Sequence, residues 1–298
     1  MNPTPVRKLA SIAGSRGALP GVRRSHRGAT LLVAGSAAFG LAMLLRPRGH
    51  RHASAVVYEP TDTLKPLAEG VWVVDSGPLY RVIPLRMTVI RLTDGTLLLH
   101  SPTPPTPQLC AELDALGRIT ALVAPNLAHW MSVPAWQRLY PEAKTWAAPG
   151  LRRRGPVRRS GMRIDAELNG AAPAGWGGAL ELVPVPGGLG FTEIALFHRS
   201  SRTLVLTDLV LNLEPQLLPW LARGFMRLVG TTAPGGRAPV YLRQLIKAGG
   251  PAARAAAARL VALRPDRVVF AHGRMLETDA TAALTRSLGW LLPKEPVP

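Results

Sequence analysis

One cysteine in 298 residues is the first limit on what this chain can be. With Cys110 alone, neither an intrachain disulfide nor a zinc site of paired thiolates can form, and the thiol reads as a small buried hydrophobe. Acid is scarce too: 18 Asp+Glu face 36 Lys+Arg, a formal charge of +18. Also lacking are Gly-x-Ser-x-Gly, a Gly-Lys-Ser/Thr phosphate loop and Gly-x-Gly-x-x-Gly, so neither a serine-elbow hydrolase nor a nucleotide cofactor is inferred. What is abundant is apolar. Hydrophobic residues make up 47% of the chain and the mean hydropathy is +0.13, which excludes a disordered polymer and supplies the core of one large domain or two small ones.

The charge is unevenly placed. Nine basic residues, from Arg7 to Arg51, precede the first acid, Glu59, so half of the +18 belongs to the N-terminal segment. Within it, residues 29–45 carry no charged side chain and are bracketed by Arg23, Arg24 and Arg27 on one side and Arg46, Arg48 and Arg51 on the other. As a helix this run spans about 25 Å, slightly less than a bilayer core. A membrane anchor ranks first. An export signal ranks second, since Val22-Arg23-Arg24-Ser25 and Ala53-Ser54-Ala55 resemble a twin-arginine signal with its cleavage site. A helix packed on the body ranks third. The expected organisation is a basic leader at 1–28, the hydrophobic segment at 29–45, a linker at 46–60 and a folded body at 61–298.

In the body, short apolar runs alternate with helix-like stretches. Residues 87–92 and 96–100 read as a hairpin turning at Asp94-Gly95. Helices are expected at 105–116, 133–140, 217–228, 251–263 and 278–291, and strands at 119–124, 144–148, 180–185, 193–197, 204–207 and 267–271. Pro219 must lie in the first turn of its helix, whose Trp220, Leu221, Phe225 and Met226 could mark a membrane-facing or partner-facing surface but read first as a core face. The cluster Arg152, Arg153, Arg154, Arg158 and Arg159 reads as a solvated loop in an arginine-rich chain, where five of the 36 basic residues are lysines. It has few aromatic neighbours for stacking bases, so nucleic acid is a disfavoured partner. The fold class is α/β or α+β, consistent with two sheets and helices outside.

Four stretches put polar residues at strand ends, where open α/β sheets place their sites: Ala124-Pro125-Asn126-Leu127-Ala128-His129-Trp130, Pro186-Gly187-Gly188, the segment ending Thr207-Asp208, and Ala271-His272-Gly273. This layout resembles the metallo-β-lactamase-like hydrolases. The resemblance implies an αββα sandwich, with Asp208 matching the bridging aspartate and His272 the last histidine. The chemistry departs from that pattern. Where the superfamily has His-x-His-x-Asp-His, this chain has Asn126, Ala128, Trp130 and Met131, with His129 between expected positions, and Gly188 stands where a histidine ligand is expected. More specifically, residues 67–291 resemble the domain-of-unknown-function 4336 family, on His100-Ser101-Pro102, Ala124-Pro125-Asn126 with His129, Trp136 with Tyr140-Pro141-Glu142-Ala143, Glu193 with Phe197-His198, Ser201-Arg202-Thr203-Leu204 with Asp208, and Ala271-His272-Gly273. That family implies no established reaction.

Asn126, His129, Asp208 and His272 are therefore the pocket candidates. Two functions follow in order. The first is a membrane-anchored binding or scaffolding protein with a degenerate metal site and a small-molecule or protein ligand. The second is a hydrolase with one divalent ion, zinc by ligand type, held by His129, Asp208 and His272. A nucleic-acid protein ranks third.

Overall fold

The computed structural model describes residues 57–79 and 83–292, so the leader and the apolar run lie outside the described residues. Two sheets face each other. The larger contains β1 (Lys65–Ala68), β2 (Val71–Leu79), β3 (Ile83–Arg91), β4 (Leu97–His100), β5 (Ile119–Ala124), β6 (Lys144–Ala147) and β7 (Ala166–Glu167), in that order. Strands β1 to β4 are antiparallel, and β5 to β7 continue parallel to β4. The smaller sheet has the order β11-β10-β9-β8, from β8 (Leu180–Pro186), β9 (Thr192–His198), β10 (Thr203–Val205) and β11 (Arg267–Val269). Strands β8 to β10 are antiparallel, while β10 and β11 are parallel.

The two-residue period of a strand sorts the core into layers. In β4 the side chains of Leu97 and Leu99 pack on helices, whereas Leu98 faces the other sheet. In β9 the same alternation sends Ile194 and Leu196 between the sheets and Ala195 and Phe197 outward to helices. Helices α1 (Pro107–Leu116) and α2 (Val133–Leu139) cover the larger sheet, with Leu109, Cys110, Leu113, Val133 and Trp136 buried. Helices α5 (Val240–Lys247), α6 (Gly250–Ala262) and α7 (Ala280–Leu288) cover the smaller one through Leu242, Ile246, Ala253, Ala257, Leu260, Leu284 and Leu288. The result is the expected αββα sandwich, and Cys110 is indeed a buried free thiol.

Local chemistry explains the element ends. Asp94 Oδ1 accepts from the Thr96 amide at 2.9 Å and from its hydroxyl at 2.7 Å, closing the β3–β4 hairpin. Thr106 caps α1 by accepting from the Leu109 amide, with Pro107 at the first helical position. Trp136 is fully buried and donates Nε1–H to the Thr103 carbonyl at 2.7 Å.

Two expectations are corrected. The arginine cluster is helical: a 3-10 turn at Leu151–Arg153 runs into α3 (Gly155–Ser160), because Pro156 suits a helix start and Gly161 supplies a left-handed end. Its guanidinium groups are partly tied down, Arg152 to the Ile164 carbonyl and Arg154 to the Leu127 carbonyl. The helix expected at 217–228 is shorter, α4 (Trp220–Leu228), with Pro219 as its N-cap. Its apolar face is not core: Trp220, Leu221, Phe225 and Leu228 are exposed, and Met226 is its buried residue. Among the described residues no helix is long and apolar enough to cross a membrane.

Candidate metal centre

Three strands end at the same edge of the sandwich. The chain leaves β5 into Pro125-Asn126, leaves β10 through Leu206-Thr207 to Asp208, and leaves β11 to reach His272 three residues on. Hydrogen bonds pin these loops. Ile194 donates its amide to the Pro125 carbonyl at 2.8 Å, joining the two sheets, and Leu206 donates to Val269 O at 2.9 Å. His129, Asp208 and His272 then converge. His129 Nε2 lies 3.2 Å from Asp208 Oδ1, His272 Nε2 lies 3.2 Å from the same oxygen, and the two Nε2 atoms are 3.2 Å apart.

An equal-sided triangle of this size has a specific chemical meaning. Donors about 2.0–2.1 Å from one tetrahedral zinc ion lie roughly 3.3 Å from each other, so the three atoms occupy three corners of one coordination sphere. The imidazoles are also oriented for it. The Pro84 carbonyl can only accept, so His272 Nδ1, at 2.8 Å from it, carries the ring proton and presents a lone pair at Nε2. His129 Nδ1 is 2.7 Å from Ser101 Oγ, a hydroxyl able to fix that ring in the same sense. Ser101 itself is held at φ 55°, a left-handed conformation unusual for a residue other than glycine. Two lone pairs and a carboxylate oxygen at mutual contact demand a cation or a shared proton between them. The donor set fits a single divalent ion.

A second ring of contacts supports Asp208. Asn126 Nδ2 donates to Asp208 Oδ2 at 2.8 Å and lies 3.5 Å from Glu193 Oε2, while its Oδ1 accepts from the Ala128 and His129 amides. Glu193 is buried in β9 and accepts from the amides of Thr207, Asp208 and Leu209. Burial, then the charge of Asp208, pushes the Glu193 carboxyl upward, and the three amides oppose that rise. With protons rather than an ion at the two Nε2 atoms, burial would still raise the Asp208 carboxyl, but the charge of a protonated His129 and hydrogen bonds from both histidines would hold it well below the usual carboxylate range.

All four pocket candidates thus meet: Asn126 braces Asp208, and His129, Asp208 and His272 are the cluster that could hold an ion. The Pro186-Gly187-Gly188 loop contributes nothing to it, for a steric reason. A Cβ on Gly188 would sit 2.8 Å from the Ala248 Cβ, and Gly188 donates its amide to the Leu245 carbonyl, so the loop is pressed against the end of α5 with no room for a ligand side chain. Sequence reasoning named Ser101 and Glu193 among the residues of the family resemblance but gave them no part in the pocket, and it missed Pro84. Glu193, an acid inside an otherwise apolar strand, carried a usable signal. Pro84, acting through its carbonyl, carried none.

The family model of the domain of unknown function DUF4336 matches residues 69–223. The curated proteins contain no match to the chain. Among solved structures, the chain is similar to the DIM-1 metallo-β-lactamase exposed to ceftazidime, with a TM-score of 0.52 and 14% identity over 76% of this chain and 95% of that one. A metallo-β-lactamase from Pontibacter korlensis gives 0.52 and 15% over 76% and 97%. The FIM-1 metallo-β-lactamase from Pseudomonas aeruginosa, in its mono-zinc form, gives 0.51 and 15% over 77% and 94%. Such low identities speak for the fold alone. With more than half of its length matched and its two sheets arranged as in these neighbours, the chain belongs to the DUF4336 family, and its fold is that of the metallo-β-lactamases.

Proposed function

We propose that this protein is a hydrolase working with one divalent ion, zinc by ligand chemistry, held by His129 Nε2, His272 Nε2 and Asp208 Oδ1. The observation that carries this reading is the 3.2 Å triangle with its histidine rings already oriented from behind. That a structural neighbour is described in a mono-zinc form is consistent with the fold working around one ion. When bound, the ion would polarise a substrate carbonyl or phosphoryl oxygen and lower the pKa of a coordinated water.

The chain's own residues supply the rest. Pro84 O and Ser101 Oγ keep both imidazoles facing the ion, and Asn126 and Glu193 hold the Asp208 side chain and backbone. Tyr241, on α5, is close enough to Asp208 to feel its charge. Burial, then that charge, pushes its phenol up to about 12, so it stays a hydrogen-bond donor through neutral pH. The residue as a whole is 53% exposed, so it stands between the metal centre and solvent.

Metal analysis tests the reading. Purified protein should carry close to one equivalent of zinc, lose it with Asp208→Asn, and melt lower after a chelator. No stoichiometric metal, with melting unchanged by the chelator, would reject it and favour a second reading. In that reading the protein is a metal-free binding or scaffolding domain, supported by Asn126 and Gly188 standing where the fold's ligands are expected. His129→Ala and His272→Ala would then alter stability or ligand binding and abolish no hydrolysis. In either case we propose that residues 29–45 hold the protein at a membrane.

A further inference from the structure

Helix α4 is an amphipathic helix mounted with its apolar side outward. At 100° per residue, Trp220, Leu221, Gly224, Phe225 and Leu228 share one arc, and Met226 lies opposite. Met226 seats the helix on a small cluster with Leu213 and Leu218, while Arg223 donates to the Leu218 carbonyl and the Thr231 hydroxyl to the Met226 carbonyl. Those contacts fix which way the helix faces. As a result Leu228 is 81% exposed, Trp220 75% and Leu221 51%. Arg243 Nη2 to Val229 O and Arg237 N to Gly230 O tie the end of α4 to the start of α5, where Val240 is exposed as well.

The stretch of chain that carries the helix has charges of one sign. No Asp or Glu occurs between residues 215 and 265, a stretch that carries Arg223, Arg227, Arg237, Arg243, Lys247, Arg254, Arg259 and Arg264. Of these, Arg227, Arg237 and Lys247 are exposed next to the apolar patch. A tryptophan and leucines rimmed by cations match the boundary of an anionic lipid leaflet, where indole and alkyl groups enter among the acyl chains and guanidinium groups pair with phosphates. Two other occupants fit worse. The apolar run 29–45 is bracketed by six arginines, and a second copy would bring the same basic rim, so either would place like charges together.

We infer that α4 is an interfacial helix that lays Trp220, Leu221 and Leu228 into an anionic lipid surface, independently of whether the metal centre is filled. The test uses the full chain labelled with an environment-sensitive fluorophore at Leu228→Cys, and in a control at Ser200→Cys in the β9–β10 turn at the opposite end of the sheet from the metal centre. The native Cys110 is buried and stays unlabelled. Vesicles of phosphatidylglycerol and phosphatidylcholine should shift the Leu228→Cys emission to the blue, lipid-borne quenchers should dim it, and the Ser200→Cys emission should not move. Adding Leu221→Glu, on an exposed position, should remove the shift without lowering the melting temperature. Aqueous emission at position 228 with vesicles present overturns the inference. So does an equal shift on phosphatidylcholine alone, or emission already blue without lipid, which would mean that the chain itself or a second copy covers the face.

Discussion

Ser101 gives the clearest prediction at the scale of one residue. Its left-handed backbone aims Oγ at His129 Nδ1, so Ser101→Ala leaves all three metal donors in place and removes only the group that orients one of them. Zinc affinity should fall about 10–100-fold, as for other groups behind a ligand, in competition with a chromophoric chelator. His100, the residue before it, makes a second case. Its ring is buried, its Nε2 has no hydrogen-bond partner among the described residues, and burial, then the neighbouring His129, lowers it to about 3. A folded pKa below the unfolded value of about 6.5 means that the unfolded chain binds more protons between the two, so stability is lost as pH falls through that window. The loss should reach a few kcal/mol by its acid end. Melting curves of His100→Leu and the native protein, compared from pH 7 down to pH 4, should therefore converge or cross toward acid, with the variant the flatter. The pocket candidates were legible in the sequence because each stands just beyond an apolar run, where a polar side chain has few other reasons to be. Tyr241 was not, because the helix that carries it gave no recognisable start.

Among elements, strands that are short, nearly continuous apolar runs buried on both faces, such as β4, β5 and β9, were readable to within a residue or so, whereas β1, β2 and α5 escaped notice. The edge strand β1 is short and half-buried, and β2 contains Asp75, Ser76, Gly77 and Pro78 in a run that does not read as a strand until Asp75 is seen paired with Arg86 at 2.8 Å. Helix α4 shows the opposite failure: its amphipathic pattern was visible, but periodicity says that a face exists and not which side the body takes. The glycine loop after β8 yields a prediction at this scale. Gly188→His restores the residue type that the resemblance expects, yet its Cβ collides with Ala248. The variant should lose about 1–3 kcal/mol in urea unfolding and bind no second equivalent of zinc. A gain of a second equivalent would show that the loop yields.

For the whole molecule, a charge of +18 suggests nucleic acid at first sight, but half of it flanks the apolar run and much of the rest surrounds α4 and the helices after it. If α4 meets an anionic lipid surface as proposed, charge at this scale bears on where the protein sits more than on what it binds in its pocket. Metal removal has a molecular signature as well, since a ligand that binds only the folded state stabilises it in proportion to its occupancy. Amide exchange should therefore quicken after chelation at the ends of β5, β10 and β11 before it quickens in the core between the sheets, and zinc should reverse it.

The same three loops carry one more consequence. His129 belongs to the larger sheet and Asp208 and His272 to the smaller, and 79 and 143 residues of chain separate His129 from its two partners. An ion bound to all three would act as a cross-link closing those long loops and stitching one sheet to the other. A protein with a single, buried cysteine has no disulfide for that purpose, so the reagent of its chemistry would double as the staple of its fold.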